Sequence, residues 1–280
     1  MTPAVSTAQL PKTQDGECRT RDGTRLVYTL RDAGPDAPRV ALVHSLAMDR
    51  SFWQPVAERL AASATVLTFD CRGHGQSDKP AGPYTVEQFA DDLANLFDHL
   101  GWRSAVVAGA SMGGCVSLAF AIRHPQRTAG LGLIDTTACY DDMPAWLGRG
   151  EKAKQGGLAS LIEFQTTRWF GDAFRTANPQ VVRHCVDVFL RNNIPAYAET
   201  CRMLGACDLR AGLPGLKMPT AIVVGEEDYA TPVKMSEELH KAVAGSTMTV
   251  LPKARHLTPL EVPDRITSEL QRLLHGAARS

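Results

Sequence analysis

The chain has 280 residues, 44% apolar and 21% charged, enough for a large core of the ordinary globular kind. Thirty Lys and Arg balance thirty Asp and Glu with no basic stripe, which argues against nucleic acid or an anionic membrane as a partner. No stretch approaches the apolar length that spans a bilayer. Seven scattered cysteines, without a C-x-x-C pair or zinc-spaced histidines, read as reduced thiols in a cytoplasmic protein that needs no metal and no cofactor.

Residues 1–15 are polar, carry Pro3 and Pro11, and lack the basic start and apolar run of a secretion signal. They are expected to form a loose tail. Glu17-Cys18-Arg19-Thr20 and residues 25–30 flank the turn Asp22-Gly23 as a hairpin. Val40-Ala41-Leu42-Val43 reads as a buried strand, followed by a helix near 52–62, a strand over 65–69 and an amphipathic helix over 86–100. Residues 104–108 form a further buried strand that runs into Gly109-Ala110-Ser111-Met112-Gly113. A helix follows over 114–121, and then a strand over 129–134.

From 136 to 214 the strand signals vanish. Aromatic residues recur there at helical spacing, with breaks expected at Pro144, Gly156-Gly157 and Pro179. The alternation resumes with a strand at 219–224, a helix at 233–243, a strand at 247–251 and a last helix over 262–274. Strands alternating with helices predict an α/β fold whose mostly parallel sheet is flanked by helices. Its core spans 16–135 and 215–280, and residues 136–214 form an inserted helical cap.

Strand, G-x-S-x-G and helix in that order describe a nucleophile elbow, in which small residues let the backbone turn and present the Ser111 hydroxyl. A serine needs a base, and the base an orienting carboxylate, met in this architecture in the order Ser, acid, His. Asp228 lies on the loop after the 219–224 strand, and His256 on the loop after the 247–251 strand. His99 and His240 fall on helices, His124 precedes Pro125 at a helix end, and His275 sits near the C-terminus, so His256 is the expected base. Asp135, at the end of the strand after the elbow helix, is the alternative acid or a supporting residue. The oxyanion donors are expected to be the amides of Met112 and of Leu46, on the loop His44-Ser45-Leu46-Ala47. Asp70-Cys71-Arg72-Gly73-His74-Gly75 invites a phosphate-loop reading, but Asp78 replaces the third glycine, and a turn tied by Asp70 and Arg72 is expected instead.

Together these residues resemble the α/β-hydrolase fold from about residue 16 onward, and within it the 3-oxoadipate enol-lactonases. The resemblance rests on Gly109-Ala110-Ser111-Met112-Gly113-Gly114, Arg123-His124-Pro125 and Arg168-Trp169-Phe170. Cys201, Cys207-Asp208-Leu209-Arg210, and Ser45-Leu46 with Asp49 extend it. Three positions depart. His44-Ser45-Leu46-Ala47-Met48 stands in place of Asn-Ser-Leu-Gly-Thr, Arg255 precedes His256 where a small residue is usual, and Asp135 replaces a neutral polar residue.

The resemblance implies a serine hydrolase of carboxylic esters, specifically a lactonase of aromatic catabolism working through an acyl-serine. A small-molecule ester or lactone is its expected partner. A substrate carboxylate would need a cation from the cap: Arg149, Arg168 or Arg191, with Arg168 the first choice and Trp146 and Trp169 beside it. Rival readings are a carboxylesterase with an acyl pocket of Met143, Trp146, Trp169 and Phe170, and a cofactor-free C–C hydrolase or acyltransferase on the same triad. A ligand-sensing receptor built on a hydrolase fold is a rival of another class, separated by a turnover test on p-nitrophenyl acetate.

Overall fold

The computed structural model describes residues 12–278. Eight strands form one sheet in the order β1-β2-β4-β3-β5-β6-β7-β8. The strands are β1 (Lys12–Arg19), β2 (Arg25–Asp32), β3 (Arg39–Val43), β4 (Thr65–Phe69), β5 (Ala105–Ala110), β6 (Thr128–Ile134), β7 (Thr220–Gly225) and β8 (Thr247–Leu251). β1 pairs antiparallel with β2, and β2 with β4; every other neighbouring pair is parallel.

Helices α1 (Gln54–Leu60), α2 (Val86–His99) and α3 (Met112–Arg123) connect the first six strands. Between β6 and β7 come α4 (Met143–Gly156), α5 (Ile162–Trp169), α6 (Asp172–Ala177), α7 (Pro179–Leu190) and α8 (Ile194–Ala206). Helices α9 (Val233–Ala242), α10 (Thr258–Glu261) and α11 (Pro263–Ala277) complete the fold. None of them is long and apolar enough to cross a membrane.

Strand β6 shows how sequence pattern becomes layering. Gly130 and Gly132 face α11, where Leu270 and Leu273 occupy the space that side chains would need. Leu131 and Leu133 point the other way and pack with Leu118 of α3 and Leu239 of α9. Period-two alternation of small and large residues thus sets one helix close to the sheet and buries the leucines under the others. Helix α2 begins at a capping box, with Thr85 accepting from the Gln88 amide and the Gln88 side chain from the Thr85 amide.

Two expectations are corrected. β1 starts at Lys12, inside the stretch read as tail, and pairs Lys12 with Asp32. Its outer residues are exposed polar groups on a sheet edge, so backbone pairing holds them and no apolar periodicity announces it. Residues 1–11 lie outside the described residues. Pro144 and Pro179 open α4 and α7 rather than break helices, because a first-turn residue has no helical acceptor for its amide. Gly156-Gly157 does end α4, with Gly157 at φ 71°.

The Asp70–Gly75 turn is tied as its charges suggest. Asp70, fully buried, accepts from the Arg50 amide (2.7 Å), the Arg50 guanidinium (2.6 Å) and the Gln76 amide (2.8 Å). Arg72 forms a two-pronged pair with buried Asp92 of α2 at 2.6 Å to each oxygen, and reaches Asp22 of the hairpin turn at 3.0 Å. Removing one partner of a buried pair strands the other charge. Arg72→Met should therefore cost about 3–5 kcal/mol in urea unfolding, and Arg72→Met with Asp92→Leu distinctly less. An equal cost for the single and double variants would refute this role.

Candidate active site

Ser111 joins β5 to α3 with φ 54° and ψ −118°, a conformation most residues avoid. A Cβ on Gly109 would overlap the Gly113 carbonyl, one on Gly113 the Val43 carbonyl, and one on Gly114 the Thr136 side chain. Only glycine lets α3 start this close to the ends of β3 and β6. The Ser111 amide donates to the Ile134 carbonyl (2.9 Å), and its carbonyl accepts from the Thr136 hydroxyl (2.7 Å) and the Gly114 amide (2.9 Å).

The structure brings Ser111, His256 and Asp228 together. Ser111 Oγ lies 3.0 Å from His256 Nε2, and His256 Nδ1 lies 2.8 Å from Asp228 Oδ2. All three side chains are buried. Asp228 Oδ1 accepts from the amides of Ala230 (2.7 Å) and Thr231 (2.9 Å), and Oδ2 from the Thr231 hydroxyl (2.7 Å). Burial would raise this carboxyl, but the His256 imidazole and the Thr231 donors outweigh it and hold it below its usual range. An ionised Asp228 accepts from Nδ1–H, which leaves Nε2 free to accept from the serine hydroxyl.

Asp135 takes another place. Fully buried at φ 47°, it accepts from the Gly225 amide (3.0 Å), and its other oxygen meets the Thr258 amide (3.2 Å) and hydroxyl (2.6 Å). Burial, then the Asp228 charge, pushes its pKa well above the carboxylate range. It braces the end of β7 against the segment after His256, and Asp228 is the carboxylate that His256 meets.

Arg255 fastens the cap to this same loop. Its guanidinium donates to the carbonyls of Thr167 (2.8 Å) and Phe170 (3.1 Å) and to Glu227 (3.1 Å). The amides of His256 and Leu257 both donate to the Trp169 carbonyl, at 3.2 and 3.0 Å. A small residue before His256 would lack this clamp.

Above Ser111 and His256 is a small, partly open cavity of about 20 Å³, space for roughly one water. Leu46, Trp146, Arg168 and Trp169 line it as expected, joined by Tyr140, Arg149 and Gln165. Met112 lies fully buried at the first turn of α3, its amide one residue beyond Ser111. Neither the Leu46 nor the Met112 amide donates to a protein acceptor among the described residues. Met143 and Phe170 fall outside the lining: Met143 packs on Gly205 and Phe170 stacks on Phe174. Arg191 is mostly exposed and faces Asp49 in a separate open groove.

Arg149 and Arg168 form no ion pair among the described residues. The Arg149 guanidinium lies 4.3 Å from the Trp146 ring centre, and both guanidinia lie over Phe164. Burial, then the neighbouring Arg149 charge, lowers the Arg168 pKa. The Tyr140 hydroxyl is buried near Ser111 and meets the distance and angle of a hydrogen bond with no group among the described residues. Tyr140 and Gln165 had no signal in the sequence, since a lone tyrosine in a loop and a glutamine within a helix match no spacing rule.

A family model for the alpha/beta hydrolase fold matches residues 38–184. The 3-oxoadipate enol-lactonase 2 of Acinetobacter baylyi is 29% identical over 239 residues, 85% of this chain and 89% of that protein. The crystal structure of the enol-lactonase from Burkholderia xenovorans superposes with a TM-score of 0.89 at 34% identity, covering 93% of this chain and 100% of that one. A thermophilic esterase from Thermogutta terrifontis, solved with malate bound, gives 0.87 at 29% identity over 94% and 99%. Sheet order, elbow geometry and these matches agree: the chain belongs to the alpha/beta hydrolase fold family.

Proposed function

We propose that this protein hydrolyses a carboxylic ester through an acyl-serine, and that its substrate is a lactone carrying a free carboxylate. The observation that carries the reading is the hydrogen-bonded line Ser111–His256–Asp228 opening onto a cavity with two arginines that form no ion pair among the described residues. Similarity to enol-lactonases supports the lactone, and the polar cap lining supports a charged substrate over the apolar acyl pocket of a general carboxylesterase.

As Ser111 Oγ attacks the carbonyl carbon, its proton passes to His256 Nε2, and Asp228 stabilises the imidazolium. The amides of Leu46 and Met112 receive the oxyanion. Collapse breaks the ring C–O bond, and the imidazolium returns its proton to the departing oxygen. In a lactone that oxygen stays tethered and poised to attack back. An enol lactone avoids this, because the released enol becomes a ketone, a far weaker nucleophile. Water, deprotonated by His256, then attacks the acyl-serine and frees Ser111.

A carboxylate in this small cavity exchanges part of its water shell for the Arg149 and Arg168 guanidinia. The cavity is too small for a lactone, so cap side chains must shift to admit one.

Turnover of an enol lactone, a saturated lactone and a simple ester at equal concentration tests the reading, with the enol lactone expected to be fastest. A neutral ester turned over faster than either lactone would refute the substrate class.

Ser111→Ala should leave the melting temperature unchanged and abolish turnover; near-native activity would refute the nucleophile. Asp228→Asn should lower kcat by about 10³–10⁴-fold. Asp135→Asn should instead cost about 1–3 kcal/mol of stability while retaining most activity, and the reverse pattern would make Asp135 the orienting acid. Because the His256 imidazole and the Thr231 donors hold Asp228 below its usual range, this carboxylate stays ionised into acid solution. Arg168→Ala should cost about 10–100-fold in kcat/KM on a carboxylate-bearing ester and little on a neutral ester of matched size, a charged hydrogen bond being worth about 1.5–3 kcal/mol. Equal losses would sink the carboxylate contact.

A further inference from the structure

The two amides assigned to the oxyanion belong to peptide units whose carbonyl ends are both tied to buried side chains. A trans peptide is planar, so its N–H and C=O point in opposite directions, and fixing one fixes the other. The Met112 amide shares its plane with the Ser111 carbonyl, which accepts the Thr136 hydroxyl at 2.7 Å. The Leu46 amide shares its plane with the Ser45 carbonyl, which lies 2.8 Å from His44 Nδ1.

His44 is fully buried, and its Nε2 lies 3.0 Å from the Cys71 amide. An amide nitrogen only donates, so Nε2 accepts and the ring proton sits on Nδ1, where it donates to the Ser45 carbonyl. Burial keeps this imidazole neutral by lowering its pKa. His44 therefore bridges the oxyanion loop to the turn after β4, and Thr136 bridges the nucleophile turn to the segment after β6.

We infer that His44 and Thr136 are positioning residues of the oxyanion hole: each holds a peptide carbonyl from behind and so aims the opposite N–H at the reacting oxygen. This rests on the serine mechanism proposed above. The loop needs such a tether, since Ala47 sits at φ 58° where a residue with a Cβ is strained. The Asn192 side chain holds its carbonyl at 2.8 Å, but that contact lies two peptides beyond the donor.

The test compares Thr136→Val, which keeps the branched shape and loses the donor, with Thr136→Ser, which keeps the donor. Both are assayed on p-nitrophenyl acetate and with phenylboronic acid, whose tetrahedral serine adduct presents an oxygen to the same amides. Thr136→Val should lower kcat about 10–100-fold, leave KM within about twofold, and weaken boronate inhibition in proportion, a part of the effect of losing one donor outright. Thr136→Ser should recover most of that loss. His44→Phe, which keeps a ring and removes both nitrogens, tests the other peptide by the same ratios and carries the test if the valine variant does not fold.

A folded Thr136→Val protein with native kcat and boronate affinity overturns the inference, as does a loss that Thr136→Ser fails to recover. Ser111→Ala run alongside separates the two levels. An active alanine variant refutes the serine mechanism itself, whereas an inactive one beside a native-like Thr136→Val refutes only the tethers.

Discussion

The backbone of Ser111 bends through a conformation that costs an ordinary residue about 1–3 kcal/mol, and the rest of the site is arranged around sustaining it. Three glycines clear the space; the Ser111 amide donates to Ile134, and its carbonyl accepts from Thr136 and Gly114, so both polar groups of the serine's backbone are occupied. Relaxing the bend would orphan these buried groups, a larger penalty than the strain it relieves. The hydroxyl is thus held clear of the sheet before any substrate arrives.

Parallel strands explain why the other residues meet it. β3, β5, β6, β7 and β8 all end on one rim, so the loops that follow them are neighbours although 212 positions separate His44 from His256. Each loop contributes one part of the proposed machinery: an amide from the first, the serine from the second, bracing from Asp135, then the acid and the imidazole. Asp135 and Asp228 show what environment does to identical side chains. Both are buried, yet the one facing an imidazole and three donors is held charged, while the one beside another acid is pushed toward its neutral form.

The helices between β6 and β7 wall this small space. Two arginines stacked on Trp146 and Phe164, without a carboxylate partner among the described residues, keep positive charge against the cavity wall. Arg255 locks the base of the cap to the histidine loop, so displacement of the cap is felt at the proposed base.

The sheet, the elbow and the order of serine, acid and histidine were legible in the sequence because they follow local rules: buried strands are short apolar runs, and sharp turns need glycine. The hairpin's first strand was legible only from Glu17; its polar start at 12–16 was not, since backbone pairing leaves no mark on side-chain pattern. Choosing Asp228 over Asp135 as the carboxylate facing His256 took distances, as did moving Met143 and Phe170 out of the cavity and Tyr140 and Gln165 into it. Residue type and spacing along the chain determined which chemistry was available. Only the tertiary structure decided which side chains share the cavity and which way each peptide points, because those depend on packing between segments far apart in sequence.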